Sequence, residues 1–162
     1  MTPLLAALRS AVYATGFVFL WGWIALGARR FDAALGGAPP AALRPLGAVV
    51  MALGAVLALA CVAVFVVRGR GTPAPFDPPR AFVAVGPYRW VRNPMYLGGL
   101  TVLLGLALWE RSPAMLLVPP AVAVLAHLLV VLYEEPGLDR RFGESYREYK
   151  RTVRRWLPRP RA

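Results

Sequence analysis

Four apolar runs dominate the chain, at 10–28, 45–67, 94–109 and 113–133. A hydrocarbon layer about 30 Å thick takes about 20 residues of α-helix, so each run predicts a membrane-spanning helix, the third being the shortest. The polar stretch Glu110-Arg111-Ser112-Pro113 leaves room only for a tight turn and makes helices three and four a hairpin. Pro119-Pro120 predict a kink in the fourth helix. Beyond residue 133 the pattern changes. Leu138, Phe142, Tyr146, Tyr149, Val153 and Trp156 recur at steps of three and four, arginines fill the opposite face, and Pro158 and Pro160 close the segment. That pattern is an amphipathic helix resting in the headgroup zone. Between 69 and 87, glycines and prolines exclude a regular helix, and this segment is expected along the membrane surface. The expected fold is therefore all-α: one domain over 1–162, an integral membrane protein of about four transmembrane helices plus a C-terminal amphipathic interfacial helix.

Composition strengthens this picture. Apolar residues make up 58% of the chain, above the roughly 45–50% of soluble domains. Nineteen Lys and Arg against eight Asp and Glu give a net charge of +11. Because these cations flank apolar runs instead of interleaving with exposed aromatics, they point to anionic lipid headgroups and not to nucleic acid. Arg68, Arg70, Arg80, Arg89 and Arg92 lie between helices two and three, and nine more Lys and Arg follow residue 139; the two opposite loops hold only Arg29, Arg30, Arg44 and Arg111. The positive-inside rule then puts both termini in the cytoplasm. The first run is long enough to span, so it is expected to be a retained helix and not a cleaved signal. Cys61 is a lone cysteine within an apolar run, which leaves no disulfide framework and no zinc site; no metal is expected.

The polar residues of interest fall in the two cytoplasmic segments. In Gly86-Pro87-Tyr88-Arg89-Trp90-Val91-Arg92-Asn93-Pro94-Met95-Tyr96-Leu97-Gly98, Asn93 suits an N-cap and Pro94 the first helical position. One reading is a capped helix start among interfacial aromatics. The other is an anion site, because Arg89 and Arg92 crowd the positive end of a helix dipole, where cations are unfavourable unless an anion lies between them. Tyr96 shares a face with Asn93, and Gly98 leaves backbone open to a ligand or another helix. In Tyr133-Glu134-Glu135-Pro136, two carboxylates at the end of helix four are either a solvated flank or a hold for a cation, and S-adenosylmethionine, with its ammonium and sulfonium, fits the second reading. Tyr146 or Tyr149 of the tail is placed to close a pocket. His127, an ionisable group within a span, is either functional or a neutral hydrogen-bonding partner of a neighbouring helix.

Together these segments resemble the membrane-embedded methyltransferases that include isoprenylcysteine carboxyl methyltransferases and phospholipid methyltransferases. The resemblance covers 71–158. It rests on Gly86, Tyr88, Arg89, Arg92, Pro94, Tyr96, Glu134, Glu135, Phe142, Gly143, Tyr146, Tyr149 and Pro158. The isoprenylcysteine pattern has histidine where this chain has Asn93; the Asn-Pro-Met-Tyr-x-Gly and Tyr-Glu-Glu-Pro runs look like phosphatidylethanolamine N-methyltransferases instead. The resemblance implies that S-adenosylmethionine is held by Tyr88, Asn93, Pro94, Tyr96, Gly98, Glu134 and Glu135. It implies that Arg92, Glu134 and Glu135 serve catalysis. It also implies that Arg89, Arg92, Tyr146 and Tyr149 meet a membrane lipid or lipid-linked substrate. Two other readings stand beside it. Sterol and steroid reductases that bind NADPH carry a similar Arg-His-Pro-x-Tyr segment, and a non-catalytic lipid-binding protein would account for the basic tail alone.

Overall fold

The computed structural model describes residues 3–69 and 82–158. Every regular element among them is a helix. Helix α1 (Pro3–Ala28) passes through a 3-10 turn into the short α2 (Asp32–Leu35). Helix α3 (Arg44–Val64) ends in a π-helical turn, Phe65–Gly69. After a 3-10 turn at Gly86–Arg89 come α4 (Pro94–Glu110), α5 (Pro113–Leu116) and α6 (Val118–Leu129). A second π-helical turn, Val130–Glu134, leads into α7 (Glu135–Phe142), and α8 (Glu144–Thr152) follows. Three stretches are long and apolar enough to cross a membrane: Ala7–Leu35, Ala41–Gly69 and Pro113–Phe142. The 17 residues of α4 rise about 25 Å, the short third helix that the pattern predicts.

The α3–α4 pair is the closest seam of the molecule. Gly47, Gly54 and Cys61 are the buried residues of α3, spaced seven apart on one face. Gly98 and Gly105 of α4 meet them with the same spacing. A Cβ on Gly54 would lie 2.6 Å from the Gly98 carbonyl oxygen and 2.7 Å from the Val102 nitrogen. The two backbones therefore touch. In a lipid solvent apolar side chains gain little by leaving lipid, so helices associate through close packing of this kind.

At the end where α4 meets α5, polar groups lock the hairpin. Arg111 closes α4 in the left-handed conformation, and its Nε donates to the Pro39 carbonyl at 2.8 Å. Ser112 caps α5 by accepting from the Met115 nitrogen, and donates to Asp32 at 2.6 Å. Asp32 also accepts from the Ala114 nitrogen at 3.0 Å, so a carboxylate sits at a helix N-terminus where the dipole favours it. Arg29 pairs with Glu110 at 2.6 Å.

Two expectations are corrected and a third is located. The fourth helix does not stop at 133: the π turn carries it on to Phe142. The kink expected at Pro119-Pro120 is an interruption just before them, at Leu117 between α5 and α6: the prolines occupy the first turn of α6, lack the N–H of the ladder, and their rings crowd the carbonyls one turn back. The tail is not one amphipathic helix. Gly143, at φ 52° and ψ −126°, separates α7 from α8, a conformation that glycine alone adopts cheaply. Helix α8 ends at Thr152, before either proline, and Val153 is extended. Residues 153–158 then form a strap. The expected surface segment lies outside the described residues over 70–81, as does Pro160.

The seam gives a direct comparison. Gly54→Ala should destabilise the protein by about 1–3 kcal/mol, because only backbone surrounds the new methyl. Gly99→Ala, with nothing within 4 Å of its added Cβ, should be neutral or stabilising by up to about 1 kcal/mol. Thermal unfolding in detergent checks this, and equal midpoints for the two variants would contradict the seam.

Candidate functional site

The site gathers at the end of the bundle where α4 begins and α6 passes into α7. Its centre is Glu135, in the first turn of α7. The Arg155 guanidinium donates to it twice, Nε to Oε1 at 2.8 Å and Nη2 to Oε2 at 2.9 Å. Nη2 of Arg92 pairs with the same carboxylate at 3.1 Å. The side chains of Arg92, Glu135 and Arg155 are 11%, 13% and 29% exposed. A forked, two-bond contact of this kind is the strongest geometry open to an arginine and a carboxylate. It also holds the Arg155 proton more firmly than usual.

Glu134, the next carboxylate, turns to a different partner. Its Oε1 accepts a close hydrogen bond from the Tyr96 hydroxyl, one turn into α4. The expected picture of two carboxylates opposing the dipole at a helix C-terminus is corrected. They stand within a continuing helix, and the π turn separates their directions by interrupting the regular hydrogen-bond ladder. The same interruption tolerates Pro136, whose missing N–H falls in the first turn of α7.

Asn93 stands at the N-cap position of α4, but its side chain does not cap. Its Nδ2 donates to the Arg155 carbonyl at 3.3 Å. The backbone nitrogens of Arg92 and Asn93 donate to the carbonyls of Arg154 and Arg155, at 2.9 and 3.3 Å. The strap thus runs beside the start of α4 and takes up hydrogen-bond donors there, so the amide of Asn93 acts as a donor and not as a capping acceptor. From the strap Trp156 reaches two residues. Its Nε1 donates to Nδ1 of His127 at 3.1 Å, and its ring packs edge-on to Tyr96, centroids 6.2 Å apart at 73°.

The other expected site residues are placed as follows. Pro94 is buried at the first turn of α4, and Gly98 faces Gly54 and Ala58 of α3, so the close approach read at that glycine is to a helix. Arg89 is exposed on its 3-10 turn, apart from the Arg92 pair. Tyr88 is buried against Phe65, ring centroids 5.2 Å apart. Tyr146 and Tyr149, expected to close a pocket, are 2% and 8% exposed and pack with Phe82 and Phe142 under the site. The Tyr149 hydroxyl donates to the Tyr88 carbonyl at 2.6 Å. They are pegs that fix α8, not walls of an open pocket. Burial raises all three phenols above their ordinary value. His127 finds its partner in the tail and not on a neighbouring helix. Arg155 and Trp156 carry no site signal in the sequence, where an amphipathic stripe accounts for the tryptophan and a solvated face for the arginine. A separate apolar groove of about 710 Å³ lies between α1–α2 and α5–α6, lined in part by Trp21, Phe31, Leu117 and Leu125; none of these polar residues lines it.

The arrangement suits an amphoteric ligand such as S-adenosylmethionine. Nε of Arg92 is buried without a partner among the described residues, a donor available to a carboxylate. Glu134 has no cationic partner among the described residues, an acceptor available to an ammonium. Tyr96 and Trp156 offer aromatic faces beside it.

Comparison with known proteins bears on the same residues. A family model for phospholipid methyltransferase matches residues 43–145. A phosphatidylethanolamine N-methyltransferase of Pyrenophora tritici-repentis is 34% identical over 89 residues, covering 52% of this chain and 10% of the relative. An uncharacterized protein of Haemophilus influenzae is 36% identical over 63 residues, covering 39% of this chain and 100% of the relative. The chain therefore spans about a tenth of the Pyrenophora protein. The family match includes Arg92, Asn93, Tyr96, Glu134 and Glu135 and ends before Arg155 and Trp156.

Two outcomes follow from the geometry. Glu135→Gln leaves Arg92 charged and nearly buried, and should cost about 3–5 kcal/mol. The strap should loosen, so that trypsin cuts at Arg154 and Arg155 faster than in the wild type; an unchanged cutting rate would show that the ion pairs do not hold it. The second outcome concerns pH. The free phenol titrates near 10, and the buried phenols hold their protons more tightly. Their contribution to stability is complete below about pH 10 and is lost as the pH rises toward the folded-state values. Tyr149→Phe should therefore show a shallower alkaline loss of stability than the wild type, read from unfolding midpoints between about pH 9 and 11.

Proposed function

The chain belongs to the phospholipid methyltransferase family, and on that basis we propose that it transfers a methyl group from S-adenosylmethionine to the amine of a membrane phospholipid. The observation that carries this reading is the contact of Tyr96 with Glu134, and of Arg92 with Glu135, beside Asn93, which Arg155 links to the same carboxylate; all but Arg155 lie within the family-matched residues. Among the described residues, this end of the bundle unites a carboxylate without a cationic partner, an arginine with an unpaired donor and, with Trp156, two aromatic faces.

S-adenosylmethionine supplies an electrophilic methyl on a sulfonium that departs as a neutral thioether, so no acid is required for the leaving group. In this proposal Arg92 binds the cofactor carboxylate through its free Nε, and Glu134 binds the ammonium or takes the proton that an ammonium acceptor must shed before it attacks. Tyr96 fixes the direction of Glu134. The strap, fastened by Arg155 to Glu135, excludes water from the reacting pair and holds the side chains in register, which is most of what an in-line displacement demands of a protein. An amine acceptor fits better beside Glu134, which has no cationic partner among the described residues, than an isoprenylcysteine carboxylate, which Glu134 would repel.

The three long apolar stretches make this an integral membrane protein in the proposal, with both termini cytoplasmic by the arginine asymmetry. The cofactor then arrives from water and the phospholipid from the bilayer. The exposed Arg140, Arg141, Arg147 and Arg151 of α7 and α8 draw this face to anionic lipid headgroups.

Calorimetry of the purified protein in detergent tests the reading. S-adenosylmethionine and S-adenosylhomocysteine should bind in the micromolar range, and Glu134→Gln should weaken binding at least about tenfold, the scale of one charge-assisted contact. Folded wild-type protein that binds neither compound would refute the proposal.

A further inference from the structure

Trp156 lies outside the family-matched residues 43–145, yet the strap lays it against two residues of the site. Its indole N–H is taken up by Nδ1 of His127, which pins one edge of the ring. The ring itself stands 6.2 Å from that of Tyr96, at 73°, and 6.2 Å from that of His127, at 39°. Tyr96 is fixed in turn, because its hydroxyl donates to Glu134. Glu135, the adjacent carboxylate, is neutralised by two arginines; Glu134 has no cationic partner among the described residues.

Two immobilised electron-rich rings beside a carboxylate that no described cation pairs with form a selective chemistry. A methylated cation has few or no N–H groups to donate, so it cannot be held by hydrogen bonds. It is held by aromatic faces and a nearby negative charge. We infer that Trp156, Tyr96 and Glu134 form an onium-binding corner, in which Trp156 is the specificity-determining wall and His127 the residue that positions it. The onium centre has two possible sources, the sulfonium of the methyl donor or the methylated ammonium of a lipid headgroup. The inference rests on the methyl-transfer reading for the source of the cation, and on the geometry alone for its recognition.

The test uses the full chain in nanodiscs and three probes: dihexanoylphosphatidylcholine, S-adenosylmethionine and S-adenosylhomocysteine, the last lacking the onium charge. Trp156→Leu should weaken the choline lipid or S-adenosylmethionine about tenfold, the scale of a desolvated cation–π contact. S-adenosylhomocysteine should change by less than about twofold, while Trp156→Phe keeps most of the affinity because it keeps an aromatic face. His127→Phe should reproduce part of the loss, and His127→Asn, which restores an acceptor for the indole N–H, should recover it. Loss confined to the choline lipid assigns the corner to the headgroup, and loss confined to S-adenosylmethionine assigns it to the sulfonium. Unchanged affinity for both, or an equal loss for S-adenosylhomocysteine, overturns the inference. A wild-type protein that binds the choline lipid but neither nucleoside refutes the methyl-transfer reading and leaves this one standing; one that binds none of the three probes refutes both.

Discussion

Glu135, held between Arg92 and Arg155, is the constraint on which this end of the molecule depends. Three charges with little access to water are stable only when each compensates the others. Arg92 stands beside the N-terminus of α4, an unfavourable place for a cation, and Glu135 makes that placement tolerable. Arg155 answers the same carboxylate from the other side, and in doing so draws the strap along α4. The strap carbonyls then accept from the backbone nitrogens of Arg92 and Asn93, and Trp156 comes to rest on Tyr96. One carboxylate thus links three segments distant in the chain.

Two backbone features make that convergence possible. The glycine seam brings α3 and α4 into direct contact and fixes where α4 begins relative to the rest of the bundle. The π turn at Val130–Glu134 keeps α6 and α7 joined while directing adjacent carboxylates to different partners. A regular helix end at this point would have left both exposed to solvent. Because the ladder is interrupted and not terminated, Glu134 takes Tyr96 as its partner and Glu135 becomes a structural anchor. The family-matched residues provide the carboxylates, Asn93 and Tyr96, and the tail beyond them provides Arg155 and Trp156. Both parts therefore contribute side chains to this end of the bundle.

Much of the architecture was legible along the chain. Apolar runs of sufficient length define helices whatever their neighbours, since lipid leaves the backbone no other partner than itself. The shortness of α4, the tight turn at Glu110–Pro113 and the helix start at Pro94 follow from residue types alone. So does the gathering of Asn93, Tyr96, Glu134 and Glu135 at one end of the bundle once the helices are antiparallel. Helix ends near proline and the course of the tail are less legible, because they depend on contacts distant in the chain. Pro136 looks like a terminator in sequence, but an interrupted ladder accommodates it; the stripe Leu138 to Trp156 has helical spacing, but Gly143 breaks it and the pull of Arg155 toward Glu135 extends its last residues.

The sequence by itself determined the helices, their order and the residue types from which a cation and an anion can be held, because these depend on local hydrophobicity, proline and glycine stereochemistry and charge. Only the tertiary structure decided that two arginines neutralise Glu135 while Glu134 pairs with Tyr96, that Gly98 meets a helix, that Tyr146 and Tyr149 are buried, and that Trp156 packs against Tyr96. Each of those outcomes depends on contacts between segments tens of residues apart, and spacing along a chain carries no information about which of several equivalent charges or rings will meet across space.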